Sequence, residues 1–242
     1  MTRPLLAIVC LLGTLSLLAA STAPLAEAAR PSGGDPLLPN IRALPATDLR
    51  LERVGDRTLL RFSTTTANIG AGPLELRAGE VSSDGSRQKV YQRVFLSGGG
   101  SSDRLVGDFV YHPAHRHIHF EDYARYELQP ADAPGASARL GSKTSFCVMD
   151  TTAIDLSLPG APRRAVYRLC GDRVQGMSVG WGDRYGYQLA GQEIEVTGLP
   201  DGTYVLRIVV DPRGRLQEAS VGDNVSTVTI RLSLTAGTIS PP

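Results

Sequence analysis

The C-terminal third of the chain limits the fold most sharply. Residues 203–210 form a continuous apolar-rich run, and residues 225–232 alternate strictly between apolar and polar. Period-two alternation marks a strand with one buried face. The stretch Leu199-Pro-Asp-Gly202 before the first run is a turn, because proline, aspartate and glycine each favour tight reversals. The same pattern runs upstream. Residues 48–54 alternate, 58–67 are rich in Leu, Phe and Thr, and 73–77 resume extended structure after a turn over 68–73. Residues 88–96 alternate again, 98–102 are a flexible loop, and 120–128, 143–149 and 193–197 read as further strands. Residues 150–192 are glycine-rich without a clear period, and such long stretches in compact domains are usually functional. No amphipathic helical stripe and no internal repeat is present after residue 28. The expectation is an all-β chain: an antiparallel β-sandwich core with long irregular loops.

With 242 residues and 42% hydrophobic content, the chain can bury a substantial core. Its net charge of +1 gives no footprint for nucleic acid or an anionic membrane. A short basic start, an apolar run over residues 4–20 and Ala26-Glu-Ala28 read as a secretory signal peptide over 1–28. Residues 29–45 follow as a linker, and 46–242 as one domain. Cys10 lies inside the signal, leaving Cys147 and Cys170 in the exported chain. An even count in an oxidising compartment points to one disulfide, with two buried thiols as the alternative. Secretion without membrane attachment after cleavage is expected.

All four histidines fall in one stretch, Tyr111-His-Pro-Ala-His-Arg-His-Ile-His-Phe120. His115, His117 and His119 stand at i, i+2 and i+4, so in a strand they project from one face. His112 should then face the other way, as a support and not a ligand. Three imidazoles suit copper or zinc better than calcium or magnesium, and spacing alone does not choose between them. With the cysteines bridged to each other, a three-ligand site keeps an open position, the catalytic pattern.

Four blocks, in order, resemble the catalytic domain of the lysyl oxidase family over roughly residues 45–232. They are the histidine run, Lys143-Thr-Ser-Phe-Cys147, Gln175-Gly-Met-Ser-Val-Gly-Trp-Gly-Asp-Arg-Tyr-Gly186, and the end from Ile194 to Asp223-Asn-Val225. The resemblance implies copper(II) on His115, His117 and His119. It also implies a lysine tyrosylquinone cofactor built from the protein's own Lys143 and Tyr185, with Asp183 as the base. The implied substrates are a primary amine or peptidyl-lysine with O2, and the products an aldehyde, hydrogen peroxide and ammonia. Lys143 and Tyr185 are expected to lie apart in an unprocessed chain if cross-linking needs a rearrangement of residues 150–192. Taken alone, Lys143 would be a solvated charge, Tyr185 a packing residue with Tyr187 as rival, and Asp183 a turn residue.

Some members of the family also carry calcium, which here would fall to Asp48, Glu218, Asp223 and Asn224. Ser220 stands where an acidic residue would be expected. Asn224-Val-Ser226 fits a glycosylation sequon. Animal members carry several disulfides and usually a tryptophan where Tyr111 stands, so the expectation is a compact, bacterial, secreted version. Two other readings compete: a copper-binding protein without turnover, and a zinc-dependent hydrolase using the same three histidines.

Overall fold

The computed structural model describes residues 33–112 and 117–241, and no helix occurs among them. The signal-peptide segment 1–28 and His115 therefore lie outside the described residues. Along the chain, β1 (Pro36–Leu37) and β2 (Ile41–Ala43) lead into β3 (Thr47–Val54) and the long β4 (Arg57–Asn68). A meander follows: β5 (Leu74–Val81), β6 (Arg87–Leu96), β7 (Ser101–His112) and β8 (His117–Phe120). Then come β9 (Ala124–Pro130) and β10 (Arg139–Leu140), and the short β11 (Thr152–Ala153), β12 (Val174–Met177) and β13 (Trp181–Tyr185). The last four are β14 (Glu193–Glu195), β15 (Gly202–Val210), β16 (Val225–Ser233) and β17 (Thr238–Ser240).

The strands form three sheets, and every pairing is antiparallel. One runs β12-β5-β6-β7-β8 with β1 beside β6, and the second runs β10-β9-β15-β16-β17. In the third, β11-β13-β4-β14, strands β2 and β3 also pair with β4. Alternation supplies the inner faces: Leu60 and Phe62, Leu74 and Leu76, Tyr126 and Leu128, and Leu206 and Ile208 enter one core cluster. Each large apolar side chain buried there contributes about 1.5–3 kcal/mol. Aromatic edges lock the centre, with Phe62 against Tyr126 at 5.0 Å and Phe146 against Tyr185 at 5.1 Å between ring centroids.

Three differences from the sequence reading bear on the site. Within the expected linker, β2 pairs with β4 and buries Ile41 completely, because two apolar residues at i and i+2 suffice to join a sheet edge. Residues 143–149 are not a strand: the segment holds one bridge, Phe120 with Phe146. Its ladder stops because the Val148 N–H donates to the Gln175 side chain and not to a neighbouring strand. The histidine run is not a single strand. It reverses between His112 on β7 and His117 on β8, which are direct cross-strand partners. A register shift at Val90/Tyr91 puts a bulge in β7 at Val106–Gly107, six residues before the hairpin's first histidine.

Candidate active site and metal centre

The two faces of β8 are sorted by chemistry. Ile118 and Phe120 pack on the core, while His117 and His119 project from the opposite face. The Nε2 atoms of His117 and His119 stand 2.9 Å apart. Two nitrogens bonded to one ion at 2.0–2.1 Å with a right angle between them would be about 2.9 Å apart. The Nδ1 of His119, which is fully buried, lies 3.1 Å from Ser145 Oγ, a partner that fixes ring orientation. His112 corrects the sequence reading. The hairpin brings it onto the same face, its ring 4.7 Å from that of His119. This pair of ring nitrogens fits a copper or zinc ion; no larger group of His, Cys, Asp or Glu with ligand geometry occurs among the described residues.

The segment that supplies Ser145 also supplies Lys143. Lys143 is 7% exposed, with its Nζ 4.8 Å from the Phe146 ring centroid and 5.3 Å from that of Tyr185. The two residues thus lie side by side in the uncross-linked chain, not apart. Burial lowers the Lys143 ammonium to about 8, against the opposing pull of Asp183. Gly191 makes room for the lysine stem: its φ is +80°, and a Cβ there would sit 2.9 Å from Lys143 Cβ. Lys143, His112, Ser145 and Glu193 line one cleft of about 210 Å³, so the lysine and the histidine face open onto a shared space.

Strand β13 carries the other two residues. Asp183 and Tyr185 alternate onto one face, held in register by Thr66 and Thr64 of β4. The Tyr185 hydroxyl donates to the Cys147 carbonyl at 2.6 Å, and burial raises its pKa well above the ordinary phenol value. Asp183 is 2% exposed, and burial raises its carboxyl far above the usual carboxylate range. Thr151 Oγ1 donates to its Oδ1 at 3.4 Å, while Oδ2 has no partner among the described residues. The rival Tyr187 is spoken for elsewhere, its ring lying under the Arg50 guanidinium at 3.5 Å.

A histidine pair, a buried lysine beside a half-buried tyrosine and a desolvated aspartate are thus gathered on one side of the core. The lysyl oxidase family model matches residues 103–240, more than half of the chain and all of these groups. The chain belongs to the lysyl oxidase family.

Relatives agree. Lysyl oxidase homolog 3B of Danio rerio is 29% identical over 171 residues, 70% of this chain and 17% of that protein. Lysyl oxidase homolog 4 of Homo sapiens is 27% identical over 172 residues, 71% of this chain and 18% of that protein. Protein-lysine 6-oxidase of Homo sapiens is 32% identical over 137 residues, 54% of this chain and 31% of that protein. The chain therefore spans a third or less of the length of these relatives. They are animal proteins and lend no support to a bacterial origin.

In this lysyl oxidase family member, several supporting residues carry no local sequence signal. The Asp150 carboxylate accepts from the backbone N–H groups of Val166, Tyr167 and Ser178, organising a stretch that sequence left irregular. Gln175 donates to the carbonyls of Ile118 and Gly171 and accepts from Val148, tying the histidine strand to the lysine segment. Gln192, Tyr126 and Thr64 form a buried hydrogen-bonded knot close to Phe146 and Tyr185. Only the Gln175 block hinted at this, by sitting inside a family motif. Cys147 and Cys170 are bridged, closing a loop of 23 residues, worth roughly 3 kcal/mol by restriction of the unfolded chain.

A second cluster lies where β2 meets the turn before β16. Glu218 accepts from the Ile41 N–H at 2.7 Å and from Asn224 Nδ2 at 2.9 Å. Asp223 Oδ2 accepts from Asn40 Nδ2 and Arg42 Nε, both at 3.2 Å. One oxygen each of Asn40, Asp223 and Asn224 is buried without a partner among the described residues, a donor set that suits an oxygen-ligated cation. Asp48 is not part of it. Its carboxylate goes to Arg184 at 2.7 Å, and Asn40 holds the position expected of it, because β2 and not β3 lies against the turn. Asn224 is buried, which leaves the sequon without an accessible acceptor.

Proposed function

We propose that the protein is an exported copper-dependent amine oxidase acting on primary amines, lysyl side chains among them. The reading rests on one observation above the others: the Lys143 amine stands 5.3 Å from the Tyr185 ring centroid, in a buried pocket that opens onto the histidine cleft. His115, His117 and His119 would hold copper, and Lys143 and Tyr185 would become lysine tyrosylquinone. When bound, the metal and the quinone would supply an electron sink by which amine, water and O2 become aldehyde, ammonia and hydrogen peroxide.

The chain's own residues prepare that chemistry. Burial gives Lys143 a sizeable neutral, nucleophilic fraction near neutral pH, which an exposed lysine lacks. The Phe146 face and the Cys147 carbonyl hold the Tyr185 ring so that its edge stays near that amine. Asp183, whose carboxyl burial raises well above the usual carboxylate range and whose Oδ2 has no partner among the described residues, would take and return the proton. Ser145 orients His119. Asn40, Glu218, Asp223 and Asn224 would hold a calcium ion that pins the N-terminal strand to the turn before β16. Export rests on the sequence of residues 1–28; among the described residues no helix is long and apolar enough to cross a membrane.

The test is copper loading in air followed by peptide mapping with phenylhydrazine. The expected product joins Lys143 to Tyr185 with one oxygen gained and four hydrogens lost. Lys143→Ala should bind copper and release no peroxide with an amine. Copper binding with both side chains unmodified would leave a binding protein, and metal-dependent hydrolysis without peroxide would leave the hydrolase.

A further inference from the structure

The cleft beside Lys143 has a charge arrangement that the reaction so far leaves unused. Among its described lining residues Glu193 is the one carboxylate. It sits on β14 opposite Arg61 of β4, and its Oε2 lies 3.3 Å from Arg61 Nη2. That guanidinium is already committed. Its Nε meets Glu52, and its Nη1 donates to the Tyr187 carbonyl at 2.9 Å. Within this contact one guanidinium serves two carboxylates, Glu52 and Glu193. Glu193 Oε2 is buried without a hydrogen-bond partner among the described residues, its contact with Arg61 being an ion pair only, and the side chain is 22% exposed. The wall of the cleft therefore carries a partly buried carboxylate that shares its guanidinium with Glu52. When the Lys143 amine is joined to the Tyr185 ring, the cleft also loses its lysine ammonium.

We propose that Glu193 recognises the substrate, binding the protonated amine of an unbranched alkylamine or lysyl side chain and aligning it along the cleft toward Tyr185. The inference rests on the amine-oxidase reading above. A cation held by a half-shielded carboxylate gains more than one at an open surface, and a substrate with an acidic group beside its amine is repelled. The cleft's volume of about 210 Å³ matches one extended aliphatic arm and not a folded segment of chain.

The experiment uses the full copper-loaded protein and two probes, n-butylamine, which is cationic near neutral pH, and phenylhydrazine, which is uncharged there. In Glu193→Gln, KM for butylamine should rise roughly fivefold to tenfold with kcat little changed, while the rate of phenylhydrazine labelling stays at the wild-type value. Added salt should raise KM in the wild type and leave the variant flat. Glu193→Asp should recover part of the affinity. An unchanged butylamine KM would overturn the proposal, and so would parallel loss with both probes, since that is the mark of a distorted site. A wild-type protein that phenylhydrazine does not label would instead overturn the amine-oxidase reading itself.

Discussion

Replacing Lys143 by methionine should make the unprocessed protein more stable at neutral pH. Lys143 is 7% exposed, and burial brings its ammonium from 10.5 to about 8. A base depressed in the folded state holds fewer protons there than in the unfolded chain between those two values. Stability therefore climbs as pH rises from about 8 to 10.5, and the full cost of the buried charge is present below 8. That gap corresponds to about 3 kcal/mol. Methionine keeps an unbranched stem of similar length against Phe146 and Gly191 and removes the charge. Asp183, itself held up by burial, loses little when the ammonium goes. Allowing for water that reaches the amine through the cleft, the expected gain is about 2 kcal/mol at pH 7, fading to near zero at pH 10.5. Urea unfolding of metal-free protein, with the disulfide intact and Trp181 as the probe, measures it. Equal midpoints at pH 7, or a gain that persists at pH 10.5, would refute the claim that Lys143 is a desolvated cation.

Three further outcomes are expected. Tyr185→Phe should abolish amine-dependent peroxide release while Tyr187→Phe keeps most of it, read by a coupled peroxidase assay; equal loss in both would leave the choice of tyrosine unsupported. Changing Cys147 and Cys170 together to serine should cost roughly 3 kcal/mol in chemical denaturation, through the freed loop of 23 residues. Burial raises Glu218 to about 7, so the folded form binds the extra proton between 4.5 and 7, and metal-free protein should lose stability as pH rises through that window. Glu218→Gln should flatten that slope by about 2 kcal/mol, and calcium should restore stability at pH 8 in the wild type alone; thermal melts with and without chelator decide both points.

Much of the sheet framework was legible, and the reason is local. Strands β3, β6 and β16 each carry their own alternation, a period of two that needs no partner to be seen, while β4 and β15 show as runs rich in strand-forming apolar residues. Residues 143–149 misled, because apolar residues spaced like a strand here serve a single bridge and an aromatic cluster. The reversal between His112 and His117 was also missed, because the i, i+2, i+4 spacing of the histidines reads as one strand although Pro113 interrupts the run.

By itself the sequence determined an all-β chain, a lysyl oxidase family pattern, and the residue types for redox metal chemistry. Tertiary structure alone decided who meets whom. It turned His112 toward His119, set Lys143 beside Tyr185, stacked Arg50 on Tyr187, and put Asn40 where Asp48 was expected. It also made Asp183 and Lys143 chemically unusual, because desolvation depends on what packs around a group. Those neighbours come from strands far apart in the chain, and only the packed sheets bring them within a few ångströms.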